Sequence, residues 1–204
     1  MANPDHLALL HKCIEAGDFS EWNKWREDVS GLSKDEILSE FDFGKPLRIA
    51  DLRESILPDT NFQQAELCGV DLFKADLRNA NLQGNRLWDT NLEGANLQGA
   101  NLCRASLVGG LLDNVNLQDA DLSHCDMCEA SLRNADLHNA NLTQTILEIA
   151  DLTNADLRGA KLSSANLWGA NLEGTQFDDE SIRESFTVRP CFISRFISYL
   201  FKKR

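Results

Sequence analysis

From Leu47 to Ile182 a large apolar residue occupies every fifth position without a break, and all but Met127 and Ile182 are Leu or Phe. A period of five is incompatible with the two common secondary structures. An α-helix advances about 100° per residue, so a five-residue stripe drifts by about 140° per repeat and never forms a face. A flat strand fails because an odd period sends successive large residues to opposite sides. One local arrangement fits. Two positions before each centre, from Ala50 to Thr175, 16 of 26 residues are Ala, and most of the others are also small. Residues two apart point the same way in an extended segment, so the small and the large residue share one side. The next two residues must turn the chain. The position two after the centre is Gly at 69, 84, 94, 99, 109, 159, 169 and 174, which permits a positive φ. The unit is a short extended segment and a corner, and a tandem array of such units must wind.

The run Ala95-Asn96-Leu97-Gln98-Gly99-Ala100-Asn101-Leu102 shows the unit in its plainest form: Ala, then Asp or Asn, then Leu, then two turn residues. Repeated in tandem over roughly residues 46–182, it resembles the pentapeptide-repeat family. The resemblance implies an all-β solenoid, a right-handed parallel β-helix of square cross-section with four repeats per coil. Seven such coils would form a rod roughly 33 Å long at parallel strand spacing. Before the centre, Asn61, Asn81, Asn101, Asp121 and Asn141 would then stack in one column. Their side chains are expected to hydrogen-bond local backbone at the turns rather than to form a catalytic carboxylate array.

The flanks read differently. Residues 1–45 are expected to be an N-terminal helical cap. Asn3-Pro4 suits a helix start, with Leu7, Leu10 and Ile14 on one face as far as Ala16-Gly17. Ser20 opens a second helix carrying Trp22 and Trp25, and the Ser33 to Glu36 segment has the capping-box pattern. Phe41 and Phe43 lead into the first coil. The Trp22-Asn23-Lys24-Trp25-Arg26 run resembles a lead-in found before cyanobacterial pentapeptide repeats. A β-helix end exposes unpaired backbone and Leu, and these apolar helices would cover it. Residues 183–204 are expected to be a C-terminal helix, with Phe192, Phe196 and Leu200 in one row and Ile193, Ile197 and Phe201 in the next, followed by Lys202-Lys203-Arg204. That segment suits a lid on the last coil, a homodimer or partner helix through residues 190–201, or a membrane-surface anchor.

Charge bounds the partners. The repeat region holds 9 Lys and Arg against 21 Asp and Glu, which accounts for the whole formal charge of −12. An acidic rod is unsuited to direct binding of nucleic acid or anionic membrane. No apolar run is long enough to span a membrane, the first twenty residues lack a signal-peptide core, and the cysteines are expected as reduced thiols in a cytoplasmic protein. Cys68 and Cys128 would lie three coils apart, too far for a disulfide.

The expected interior is filled by Leu and Ala, which leaves no substrate cavity and argues against an enzyme. No cofactor or metal is expected. His124-Cys125-Asp126-Met127-Cys128 has ligand-type residues, but the alternation sends Cys125 and Met127 inward and the others in different outward directions. The surface is more informative. Residues 20 apart share a wall, and one column reads Cys68, Trp88, Val108, Cys128, Glu148, Trp168, with Ile146 and Ile149 on the same wall and Leu111 at the adjoining corner. The corresponding column on the next wall is mostly charged. Trp88, Val108, Leu111, Cys128, Ile146, Ile149 and Trp168 are therefore the candidate partner-binding residues, unless a terminal segment covers them. The expected function is a non-enzymatic interaction scaffold or regulatory protein. The alternative is an acidic DNA mimic acting on DNA gyrase or another DNA-binding protein, a role that the resemblance to acidic pentapeptide-repeat rods brings with it.

Overall fold

The computed structural model describes residues 4–22, 24, 51–63, 65 and 67–178. The expectations for Trp25, the Ser33 to Glu36 segment, Phe41, Phe43, Phe192, Phe196 and Leu200 lie outside the described residues.

The repeats wind with a period of 20 residues. Parallel bridges join Asp51 to Asp71, Asp71 to Asn91, and so on in steps of 20, and every bridging residue is the one before a centre. Four such series define four walls: wall A through Arg86, Ser106, Asp126, Ile146 and Asn166; wall B from Asp51 to Asn171; wall C from Ile56 to Gln176; and wall D from Asn61 to Lys161. The extended segment expected in each repeat is a single bridging residue. Two residues beyond it the chain already turns, so no strand among the described residues is longer than one residue.

The corner has one geometry. Ala95 N–H donates to Leu92 O at 3.0 Å, closing a four-residue turn, and its third residue, Gly94, has φ of 65°. A positive φ at the third position alone defines a type II turn. Every described turn position from Glu54 to Gly174 is in this left-handed region, whether or not it is Gly. The closure of the coil, and not the residue type, imposes the conformation.

The repeat also accounts for its backbone donors. In residues 95–99, Asn96 N–H donates to Ala75 O, Leu97 N–H to Asn116 O and Gly99 N–H to Gln118 O, at 2.7–2.9 Å. With the turn bond of Ala95 these satisfy four of five N–H groups. The fifth, on Gln98, donates to Asn96 Oδ1 at 3.2 Å. A backbone donor left without an acceptor is costly, and this explains the Asn or Asp before most centres. The same bond recurs at, for example, Asp71, Asn101, Asp121 and Asn166. Two departures follow the same logic. At Ile56 the acceptor is missing, but the residue that would need it is Pro58, which has no N–H. At Ser131, the N–H of Arg133 is taken instead by Asp113 Oδ1 from the neighbouring coil, at 3.1 Å.

Inside, every centre from Leu52 to Leu162 is buried, with the small residues beside it. Each such Leu contributes about 1.5–3 kcal/mol over leaving it exposed. Four polar inward residues are tied to the previous coil: Thr90, Thr145 and Thr175 hydroxyls donate to Leu67, Leu122 and Leu152 carbonyls, and Asn85 Nδ2 donates to Phe62 O and Ala65 O, while the Thr60 hydroxyl donates to Pro58 O in its own repeat.

Before the rod, α1 (Pro4–Ala16) buries Leu10 and Cys13. Gly17, with φ of 63°, ends it: Asp18 N–H donates to Cys13 O and Gly17 N–H to Ile14 O, the paired bonds of a Schellman motif. Asp18 Oδ1 then accepts from Ser20 N–H at 2.8 Å and starts the next helical turn. Phe19 and Trp22 are buried and belong to the same apolar cluster as the first coil, with the Phe19 ring 6.4 Å from that of Phe62. His6 Nδ1 accepts from Asp51 N–H at 3.0 Å.

Candidate functional site

Three kinds of local rule govern this rod: apolar inside, Asx before the centre, and Gly or a small polar residue preferred at the left-handed corner. The last two are broken on every wall, for example at Ser131, Ile56, Gln176 and Lys161, but on wall A and on wall B beside it the breaks at Ile146, Ile149 and Leu111 are apolar. Ile146 and Leu111 stand where the turn calls for Asn or Asp, and no side chain supplies the acceptor for the N–H of Glu148 or Asp113. Ile149 has φ of 59° and is the only β-branched residue at a described turn position. That conformation costs an L-residue roughly 1–2 kcal/mol, and β-branching makes it worse. Gly169 follows in the next coil, where a Cβ would lie in ordinary contact with Ile149 Cγ1 at 3.4 Å.

These substitutions expose apolar surface instead of stabilising the coil. Trp168 is 61% exposed, Ile149 54%, Leu111 51% and Ile146 39%. Among the described residues, four of the five exposed large apolar side chains fall on wall A and its corner; the fifth, Ile56, is 74% exposed on wall C.

The rest of the column is different. Trp88 is half-buried, its indole N–H donating to Ser106 Oγ at 2.6 Å with the Arg86 guanidinium 5.7 Å from the ring centre. Val108 and Cys128 are half-buried, and Cys68, expected on the outward column, is buried at 5% exposure. The wall therefore divides. Its Trp88 end is a structural indole held by neighbours, and its Trp168 end is open. Glu148, between the two Trp, accepts from Asn166 Nδ2 and stays at the edge of the open part. The roles of Ser106, Arg86 and Asn166 as fixing partners are not visible in the column pattern. The breaks at Leu111, Ile146 and Ile149 could have been found by scoring each outward position against the repeat.

A groove of about 110 Å³ between α1 and the first coil is lined by Ile14, Gly17, Phe19, Asn61 and Gln63, none of them an acid, a base or a nucleophile. Cys125 and Met127 lie inside, while His124 is exposed at a corner and Asp126 Oδ1 accepts from Cys128 N–H. No three His, Cys, Asp or Glu among the described residues come together to hold a metal. Burial pushes the Cys125 thiol well above its usual range. Many carboxylates are structural. The Arg53, Arg78 and Arg158 side chains hydrogen-bond the Asp51, Asp76 and Asp156 carboxyls and hold them below the usual carboxylate range. For Asp151, burial opposes the shift, and hydrogen bonds from Thr153 and Arg133 outweigh it.

The family model described as pentapeptide repeats matches in eight copies over residues 47–84, 86–110, 111–148 and 150–179. Among solved structures, the chain is similar to HetL, a pentapeptide repeat protein involved in heterocyst differentiation regulation from the cyanobacterium Nostoc sp. strain PCC 7120. The two are 22% identical over 72% of this chain and 98% of that one, with a TM-score of 0.43. It is 29% identical to Rfr23 from the cyanobacterium Cyanothece 51142, over 63% of this chain and 84% of that one, with a TM-score of 0.41. A trypsin-treated variant of QnrB1, a plasmid-mediated fluoroquinolone resistance protein, is 20% identical over 63% and 82%, with a TM-score of 0.47. No curated protein matches the chain.

Proposed function

Because the chain belongs to the pentapeptide repeat family, whose members fold as right-handed quadrilateral β-helices and are generally non-enzymatic structural or regulatory scaffolds, we propose that it is a non-enzymatic interaction scaffold that presents wall A to a protein partner. The observation that carries this reading is the open apolar end of wall A. Trp168, Ile149, Ile146 and Leu111 are exposed on a wall held rigid by backbone hydrogen bonds on both sides. Exposed aromatic and aliphatic groups on a rigid frame bind at low entropic cost. Val108 and Cys128 form the floor, and Trp88 supports it from below. The rod would comprise about seven coils over residues 46–182. In this reading α1 and Trp22 cap its first coil, and the protein works in the cytoplasm with its thiols reduced.

The test is Trp168→Ala combined with Ile149→Asn and Ile146→Asn. The last two restore residues that the corner and the turn prefer, so the far-UV spectrum and unfolding midpoint should hold. A partner recovered by the wild type and reconstituted from purified components should lose affinity by about tenfold or more, as expected for truncating a hot-spot aromatic. Undiminished binding by this variant removes wall A as the docking surface.

The second reading, an acidic mimic of DNA that occupies gyrase or another DNA-binding protein, draws on the charge of −12. Against a continuous phosphate-like track, Arg53, Arg78, Arg133 and Arg158 pair with Asp51, Asp76, Asp151 and Asp156 in place. A supercoiling assay separates the two: inhibition of gyrase at stoichiometric protein favours mimicry, and no inhibition favours the scaffold.

A further inference from the structure

We propose that wall A binds an amphipathic helix of another protein, one whose apolar stripe is edged by Lys or Arg. This rests on the reading of wall A as a docking surface and names the chemistry of its partner. On wall A from Ser106 to Gly169 the charged side chains are Asp126, Glu129 and Glu148, with no Lys or Arg. Among the described residues none of these three forms an ion pair, whereas Asp51, Asp76, Asp151 and Asp156 are each paired with an Arg. The cations around the strip leave them unanswered. Arg133 on wall B is held by Asp151, and Arg86, two coils below Asp126, lies against the Trp88 ring. Arg104, at the corner with wall D, pairs with none of the three. The exposed apolar surface is thus bordered by negative charge that the rod itself does not neutralise.

The layout sets the form of the partner. Within one coil Cys128 has Asp126 on one side and Glu129 on the other, and Val108, Cys128, Glu148 and Trp168 run up the midline. Trp168 stands two coil spacings from the row of Asp126 and Glu129, roughly 10 Å at parallel strand spacing. That distance is about seven residues of helix. A helix with an apolar anchor on Trp168, Ile149 and Ile146 therefore brings basic residues two turns further on to both edges of the same strip. An added β-strand does not fit. In the coil from Ile146 to Ala150 the N–H groups of Ile146, Leu147, Ile149 and Ala150 are all taken by carbonyls of the rod, which leaves only that of Glu148, and strand addition needs a row of open backbone groups. A second copy of the rod would set its own Asp126, Glu129 and Glu148 against these, and like charges across an interface cost affinity. The same charge repels nucleic acid and an anionic lipid surface.

The test uses the full chain and two fluorescein-labelled peptides of about 18 residues, long enough to hold a helix on binding. One carries a Leu and Trp stripe edged by Lys, the other the same stripe edged by Glu. Fluorescence anisotropy should show the Lys peptide binding at least about tenfold more tightly than the Glu peptide. Asp126→Asn with Glu129→Gln and Glu148→Gln should weaken the Lys peptide by about tenfold, since exposed ion pairs are individually small and here act together. The amides keep the acceptors used by Cys128 N–H and Asn166 Nδ2, so the unfolding midpoint should hold. The same loss of charge placed on walls B and C, by Glu93→Gln with Asp119→Asn and Glu173→Gln, should change the affinity by less than about twofold, because those sites are screened from the strip. Trp168→Ala should weaken the Lys peptide at least as much as the wall A triple variant. Equal losses from the two triple variants would show that overall charge, and not wall A, attracts the peptide, and would overturn the proposal. A wall A triple variant that binds like the wild type, while Trp168→Ala does not, would also overturn it and leave the scaffold reading in place. Full binding by Trp168→Ala would remove the apolar strip as the seat and with it both readings. Self-association in sedimentation, or uptake onto phosphatidylglycerol vesicles, that is lost in Trp168→Ala would assign the strip to a second copy or to lipid and overturn the proposal.

Discussion

Asp121 tests the account of why most repeats carry Asn or Asp before the centre. Its Oδ1 accepts from Ser123 N–H at 3.0 Å and from Asn141 Nδ2 at 3.0 Å. Ser123 is only 9% exposed, so its N–H has little recourse to water. Asp121→Ala removes the one oxygen that accepts both bonds. A hydrogen bond to a charged group contributes about 1.5–3 kcal/mol, and an orphaned buried donor costs about 1–3 kcal/mol. These describe overlapping losses, so the expected cost is about 2–3 kcal/mol. Asp121→Asn keeps an oxygen in the same place, and its column neighbours, Asn101 and Asn141, are uncharged. It should cost less than about 1 kcal/mol. Urea unfolding followed by both far-UV dichroism and tryptophan fluorescence gives the midpoints and checks that the rod melts as one unit. Hydrogen exchange adds a local readout. The Ser123 amide should exchange at least about 30-fold faster in the Ala variant, a factor that corresponds to 2 kcal/mol, and near the wild-type rate in the Asn variant. Equal losses for Ala and Asn, or an unchanged Ser123 amide in the Ala variant, would refute the idea that the side chain serves as the fifth acceptor.

Further outcomes follow from the same geometry. Leu132→Ala, at a fully buried centre, should cost about 2–5 kcal/mol in urea unfolding. Gly159→Ala should be destabilising by about 1 kcal/mol or more, since its φ is 72° and a Cβ would collide with Asn139 Oδ1. Asp51, Asp76 and Asp156 have carboxyls depressed by Arg partners. Their contribution is fully present above the ordinary carboxylate range near pH 4 and is lost as pH falls through their lower folded values. Stability should therefore decline on acidification below about pH 4, and the decline should shrink in Asp76→Asn. A thiol reagent should modify half-exposed Cys103 and Cys128 in the native protein and reach Cys125 only on unfolding, as mass spectrometry of the native and denatured protein can show.

Much of the architecture was legible in the residues. A five-residue apolar period excludes helix and flat strand by geometry, so winding follows from the pattern of Leu52, Leu57, Phe62 and their successors. Their alternation with Ala also placed the core. The assignment of Cys125 and Met127 to the inside and His124 to the outside needed nothing more. The N-terminal helix was legible too, because Pro4 has its φ preset for a first turn that needs no N–H from it, and Gly17 takes a positive φ that other residues adopt poorly.

What the tertiary structure decided is accessibility and backbone strain, because both depend on what the neighbouring coils place beside a residue. The outward column treats Cys68, Trp88 and Trp168 alike. In the folded rod Cys68 is buried, Trp88 is held by Ser106 and Arg86, and Trp168 stands open. The left-handed corner is visible in the sequence only where Gly fills it. At Ile149 the residue type argues against it, and only closure of the coil imposes it. The period thus determines which wall a side chain joins. Packing between coils determines whether that side chain faces the solvent, and at what conformational cost.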